Sequence, residues 1–210
     1  MTRCFASLAA ALALVAAVTD RVWAGAPTDQ VREYTDAVLK ILEDPALKTE
    51  DRKPERRAAV RKIATEVFDV QETARRALGP HWQQRTPQQR EEFVQLFAEL
   101  VEQTYISKID LFGGERLRFT EEKVDGDHAI VRAKVITRQA TEVPVEARLL
   151  RKGDRWLIYD ILIENISLIG NYRAQFDRII RTQSYEELVK RLRTRGEFLR
   201  ESERPRRTER

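Results

Sequence analysis

Between residues 28 and 109 the apolar side chains recur at helical spacing. Val31, Tyr34, Val38, Ile41 and Leu42 form one stripe behind Thr28, a residue with N-cap chemistry, and Asp44-Pro45 closes the segment. Pro54 at a first-turn position opens a second helix that carries Ala59, Ile63 and Val67. Asp69 and Glu72 have the spacing of a capping box for a third helix, which Gly79-Pro80 ends. Thr86-Pro87-Gln88-Gln89 then combines cap, first-turn proline and a glutamine able to reach back. The long helix it predicts bears Phe93, Leu96, Phe97, Leu100, Val101, Tyr105 and Ile109 on a broad stripe, up to Gly113-Gly114.

Beyond the double glycine the period falls from 3.6 to 2. Leu117 and Phe119 alternate with arginines, and Ala129, Val131, Ala133 and Val135 alternate with Arg132 and Lys134. Turns at Asp125-Gly126-Asp127, Gln139 to Glu142 and Lys152-Gly153-Asp154 divide the region into four antiparallel strands. In the last, Leu157, Tyr159, Ile161 and Ile163 are expected on one face and Trp156, Ile158 and Leu162 on the other, with Asp160 the odd polar member. Helical spacing returns with Leu168, Ile169, Tyr172, Phe176, Ile179 and Ile180, and Ser184 to Glu187 is a further capping box for a helix to about Leu199. Helices, a meander of strands and helices again predict an α+β fold, with helices on one face of a curved, mainly antiparallel four-stranded sheet. Such a cone encloses an internal apolar pocket.

The ends set the compartment. Arg3, the apolar run Phe5 to Val18 and Val22-Trp23-Ala24 read as a secretory signal peptide over residues 1–24, cleaved after Ala24. The apolar run is shorter than the roughly 20 residues of a spanning helix. Cys4 leaves with the leader, so disulfides, zinc-cysteine sites and thiol catalysis are not expected of the mature chain. Residues 25–199 are expected to form a single domain, and residues 200–210, with arginines, glutamates and a proline but no apolar side chain, a disordered basic tail. The net charge of +4 drops to +3 once Arg3, Arg21 and Asp20 are removed, and acids and bases alternate along the helices. No basic face concentrates as nucleic-acid binding demands.

Candidate chemistry is sparse. His81 follows a helix-ending Gly-Pro and His128 a hairpin turn, no serine stands in a nucleophile elbow, and neither glycine-rich phosphate motif is present. Neither a metal site nor a cofactor is expected. Asp160 beside Tyr159 is the one arrangement that a small cone-shaped enzyme could use, with the carboxylate as base and the phenol as oxyanion donor. The competing role is structural: an aspartate bonded to backbone or arginine.

Two long segments resemble one family. Ala77-Leu78-Gly79-Pro80-His81-Trp82 precedes Thr86-Pro87-Gln88-Gln89-Arg90-Glu91-Glu92-Phe93, Phe97 and Leu100; Tyr159-Asp160-Ile161 leads through Glu164-Asn165-Ile166-Ser167-Leu168 to Asn171-Tyr172-Arg173 and Phe176. In this order and spacing, from about residue 28 to 200, the chain is similar to the periplasmic phospholipid-shuttle proteins of the Mla pathway, the MlaC or toluene-tolerance family of ABC transporter auxiliary proteins. The basic tail and Ile166 are its departures.

The resemblance implies an NTF2-like cone and a soluble, non-enzymatic carrier of the periplasm. It would move phospholipid between an outer-membrane lipoprotein complex and an inner-membrane ABC transporter, in the service of outer-membrane lipid asymmetry. A related branch is associated with hopanoid lipids, and the sequence does not separate the two. No short motif carries the family's pocket, so the expected lipid-binding residues follow the stripes above: Phe68, Phe93, Phe97, Leu100, Tyr105, Val131, Ala133, Tyr159, Ile161, Ile163, Leu168, Tyr172 and Phe176. Arg173, Arg178 and Arg181 lie near the last stripe and are either solvated charges or contacts for a phosphate or an acidic partner. A small enzyme using Asp160 and Tyr159, and an adaptor that binds envelope proteins through its helices, are the alternatives. Burial of a methylene is worth about 0.8 kcal/mol, so an acyl chain of some 15 such groups gains roughly 12 kcal/mol on entering a pocket.

Overall fold

The computed structural model describes residues 26–194. The expected leader, its cleavage point, the end of the last helix near Leu199 and the basic tail lie outside the described residues. Helices α1 (Pro27–Glu43), α2 (Lys53–Val67), α3 (Val70–Leu78) and α4 (Pro87–Ile106) precede strands β1 (Arg116–Asp125), β2 (His128–Ile136), β3 (Glu142–Lys152), β4 (Arg155–Ile163) and β5 (Ile166–Ser167). Helices α5 (Leu168–Thr182) and α6 (Tyr185–Thr194) follow, and short 3-10 turns occupy residues 79–84 and 107–111.

Helix starts obey local chemistry with two adjustments. Helix α1 opens on Pro27 rather than behind Thr28, whose backbone N–H donates to Glu122 on β1 at 2.7 Å. Proline suits that position because its missing N–H is one that a helix start leaves unbonded. At α3 the Asp69 carboxylate accepts from the Glu72 N–H at 3.1 Å, but the reciprocal half of the box is absent: the Asp69 N–H donates to Ile158 on β4, and Glu72 faces Arg75 and Arg76. Thr86 and Gln89 close a complete box at α4, with bonds of 3.2 and 3.0 Å. That helix ends at Ile106 and continues to Leu111 as a 3-10 turn, short of the predicted glycine stop. Tightening of this kind is common at helix C-termini.

The sheet is an antiparallel meander in the order β1-β2-β3-β4-β5. Its fifth strand, absent from the prediction, has two residues and follows a turn in which Glu164 and Asn165 take positive φ angles of 50° and 64°. Two left-handed residues match the twist of a two-residue hairpin, but without glycine they leave no sequence signature. The faces of β4 also differ from the expected alternation. A bulge between Arg148 and Leu149 of β3 lets β4 hold an extra residue, so Leu149 pairs with Ile158 and Arg148 with Asp160. Ile161 and Ile163 therefore share the face of Trp156 and Ile158, and Asp160 lies opposite with Leu162.

Two cores result. Helices α1 and α2 cover one face of the sheet, where Val67, Ala129, Val131, Leu149, Trp156 and Ile158 are buried together. Helices α3 to α6 build a second core around Leu78, Phe93, Phe97, Leu100, Phe176 and Leu188. In it Phe97 meets Tyr172 and Phe176 edge-on, at centroid separations of 5.2 and 5.5 Å. The other face of the sheet carries ions instead. Glu121 pairs with Arg132 at 2.7 Å, Arg132 with Glu146 at 2.8 Å and Glu146 with Arg148 at 3.0 Å. Arg148 stands 3.9 Å from Asp160, which extends this ladder to β4.

The helical cluster joins the sheet along the edge of β4. Phe68 forms a parallel bridge to Ile158, and the Thr73 hydroxyl donates to the Tyr159 carbonyl at 3.3 Å. Helix α4 places three of the largest side chains of the cluster, so its start is a sensitive point. Thr86→Ala removes the cap and should destabilise the protein by about 1 kcal/mol, lowering Tm by roughly 2–4 °C in a scanning calorimeter.

Candidate functional site

Helices α1 and α2 do not close fully on the sheet. Between them lies a cavity of about 270 Å³, walled by Val31, Tyr34, Val38 and Leu39 of α1, Val60, Ile63, Ala64 and Val67 of α2, then Phe68 and Ile158. Its polar groups are already engaged: the Thr35 hydroxyl donates to the Val31 carbonyl at 2.7 Å, and the Tyr34 hydroxyl accepts from Arg155 at 3.1 Å. The interior thus presents hydrocarbon and nothing to hold water, which needs two to four polar partners. A ligand that fits here is itself hydrocarbon.

One turn further along α1, Leu42 enters the wall of an open recess of about 400 Å³. Tyr105 of α4, Lys108, Ile109 and Leu111 of the following 3-10 turn, Phe112, Glu115 and Val135 of β2 complete it.

The turn that borders the recess is clasped to α2. Asp110 accepts from Arg56 at 2.6 Å and is paired with Arg57, while Arg56 also donates to the Leu47 carbonyl at 3.0 Å. Burial alone would raise the Asp110 carboxyl, but the hydrogen bonds from the two arginines, with their charges, outweigh it and hold the group below the ordinary 3.8.

The expected pocket residues divide among several places. Phe68 lines the cavity and Tyr105 the recess. Val131 and Ala133 are buried on the inner face of β2, with Ile161 packed against the same core. Ile163, at the end of β4, is 40% exposed, and Leu168 is half-buried at the start of α5. Phe93, Phe97, Leu100, Tyr172 and Phe176 pack in the four-helix core, outside both linings. Tyr172 nevertheless touches Tyr105 and Thr104 through its hydroxyl, and burial, with Tyr105 adding to it, raises its phenol well above the ordinary value. Most of the cavity wall comes from α1 and α2, which the pocket expectation passed over. The α1 stripe was visible; α2, crowded with charge, offered only three apolar positions to the same reading.

Tyr159 and Asp160 serve the architecture. Asp160 accepts from the Ser167 hydroxyl at 2.6 Å and the Ile169 N–H at 3.2 Å, and Ser167 in turn caps α5 by accepting from the Gly170 N–H at 2.7 Å. A carboxylate at a helix N-terminus is stabilised by the helix dipole. The Tyr159 ring lies under the Arg76 guanidinium at 3.8 Å, with His128 edge-on beside it. His81 bonds Asp177 at 2.8 Å, and Arg181 pairs with the same carboxylate. Among the described residues no cluster of His, Cys, Asp or Glu is placed to hold a metal, and no helix is long and apolar enough to cross a membrane.

Comparison with known proteins places this geometry. The family model described as MlaC protein matches residues 32–194. The intermembrane phospholipid transport system binding protein MlaC of Haemophilus influenzae is 24% identical over 138 residues, which is 63% of this chain. That match spans 64% of the relative's length, under two thirds of it. A phospholipid-binding protein from Ralstonia solanacearum, solved in complex with a phospholipid, has the same fold: TM-score 0.71 at 24% identity, over 83% of this chain and 99% of that one.

The Asp110 clasp makes a pH prediction. A depressed carboxyl contributes stability that is present above its unfolded value near 3.8 and is lost as pH falls through the lower folded value. Asp110→Asn leaves a buried arginine without its counter-ion and should cost about 3 kcal/mol at pH 7. In urea titrations from pH 7 to 2.5, the wild type should lose that difference only at the acid end, where the two proteins converge.

Proposed function

Because the chain belongs to the MlaC protein family, we propose that it is a periplasmic carrier that takes phospholipid acyl chains between its sheet and its first two helices. In this reading it hands them from an outer-membrane lipoprotein complex to an inner-membrane ABC transporter. The observation that carries the proposal is the cavity between α1, α2 and β4, whose walls offer no free polar group. The Haemophilus and Ralstonia relatives, one named for phospholipid transport and the other solved with a phospholipid, supply the ligand class.

The physics of the task fits the wall chemistry. Each methylene leaving water gains about 0.8 kcal/mol, so tails require enclosure, whereas a phosphate and its substituents lose hydration if buried. A carrier therefore needs a dry interior and an open end. Here the cavity supplies the first and the recess at Leu42 the second. Phe68 and Tyr105 contact the tails directly in this scheme, and Val131, Ala133 and Ile161 form the floor below them. Tyr159, Ile163 and Leu168 border the β4 end, while Phe93, Phe97, Leu100, Tyr172 and Phe176 back the site as a packed support that reaches it through Tyr105. Residues 1–24 act as the export signal, and residues 25–199 form one carrier domain.

No turnover is assigned to the chain, and the direction of transfer comes from its partners. Asp160 holds the N-terminus of α5 and leaves no free carboxylate for a base.

The reading is tested by native mass spectrometry on protein purified from cells, which should carry phospholipid. Ala64→Trp places an indole in the cavity and should lower the lipid-bound fraction roughly tenfold, with the circular dichroism spectrum unchanged. Wild-type protein that stays empty after exposure to phospholipid vesicles overturns the proposal.

A further inference from the structure

The open recess carries two charged side chains in an otherwise apolar wall, and they are in different states. The Glu115 carboxylate accepts from the Gly113 N–H at 2.7 Å and stands beside Arg138. The Lys108 side chain makes no ion pair or hydrogen bond among the described residues. The only other charge on the same turn, Asp110, is neutralised by Arg56 and Arg57. Of the two charged side chains that line the recess, the uncommitted one is thus the ammonium. Leu111, 75% exposed, stands on the lip beside it.

We propose that the recess is a headgroup station selective for net-anionic lipids, in which Lys108 pairs with the phosphate while Leu111, Ile109 and Phe112 receive the first methylenes of the tail. This rests on the carrier reading above and adds a preference among headgroups to it. An ammonium on a flexible stem is a compact charge that reaches a phosphate without fixed geometry. A zwitterionic headgroup offers the same phosphate with a cation attached, so its attraction to Lys108 is partly cancelled. An adjacent apolar lip ties recognition to an amphiphile, because a free anion gains nothing from Leu111.

The experiment loads the full-length mature protein from vesicles of equal parts phosphatidylglycerol and phosphatidylcholine and measures both lipids on the re-isolated protein. Wild type should take up phosphatidylglycerol in about threefold excess, the size expected of a half-exposed ion pair, and the excess should shrink as salt screens it. Lys108→Ala should bring the ratio to one and Lys108→Glu below one. Lys123→Glu, an equal change of net charge on exposed β1, should keep the wild-type ratio. A wild-type ratio of one, or one that Lys108→Glu leaves in place, overturns the inference while total loading still upholds the carrier reading. Loading of neither lipid overturns both. Millimolar inorganic phosphate should leave the ratio unaltered; if it abolishes the excess, the recess is a free-anion site and the headgroup assignment falls.

Discussion

A hydrocarbon-lined space survives in a folded chain only when something other than its walls holds the walls apart. Apolar layers left to themselves close to crystal-like density, and empty volume costs stability roughly in proportion to its size. Here the restraint is polar and sits at the rim. The Gln30 side chain accepts from the Trp156 N–H at 2.8 Å, Thr28 is tied to Glu122, and Arg155 donates to the Glu66 carbonyl. At the far end Asp110 clasps α2 through two arginines. These bonds set the height of α1 and α2 above the sheet, and Val38, Leu39, Ile63 and Ala64 face the resulting gap.

The same economy governs the buried carboxylates. Asp69 caps α3 and meets Lys152 at 2.5 Å; Asp160 holds Ser167 and the first turn of α5. Both stand along β4, where the helical cluster meets the sheet. The ladder from Glu121 through Arg132, Glu146 and Arg148 ends at Asp160, so the outer face of the sheet is bound to that junction. Buried charge persists when it is paired and hydrogen-bonded, and these groups spend that capacity on joining elements. Polar joints of this kind surround a dry, apolar interior.

Division into two cores has a mechanical consequence. The α3–α6 cluster is packed around interlocking aromatic rings, with Phe93 and Phe97 stacked at 5.8 Å and Phe176 edge-on to both. The layer of α1 and α2 over the sheet is the looser part, because the free volume is there. Parting two layers at a void breaks fewer contacts than parting a packed cluster, so the cavity lies where the layers separate at least cost.

Periodicity alone determined much of this protein. The helical stripes, the switch to alternation after Gly113-Gly114, the turns at Gly126 and Gly153, and the cap at Thr86 are local, since each depends on residues within a few positions of one another. The resemblance to the MlaC family was legible for the same reason, in two contiguous runs. Three features needed the tertiary structure. The bulge opposite Arg148 and Leu149, which reassigns Ile161 and Ile163 to the face of Ile158, comes from pairing between strands. The hairpin at Glu164-Asn165 lacks the glycine that advertises such turns. Above all, a stripe of Phe and Leu reads alike whether it fills a core or lines a void. Phe93, Phe97 and Phe176 close on one another because α4 and α5 meet, whereas Val38 and Ala64 face open space because distant polar contacts hold α1 and α2 off the sheet.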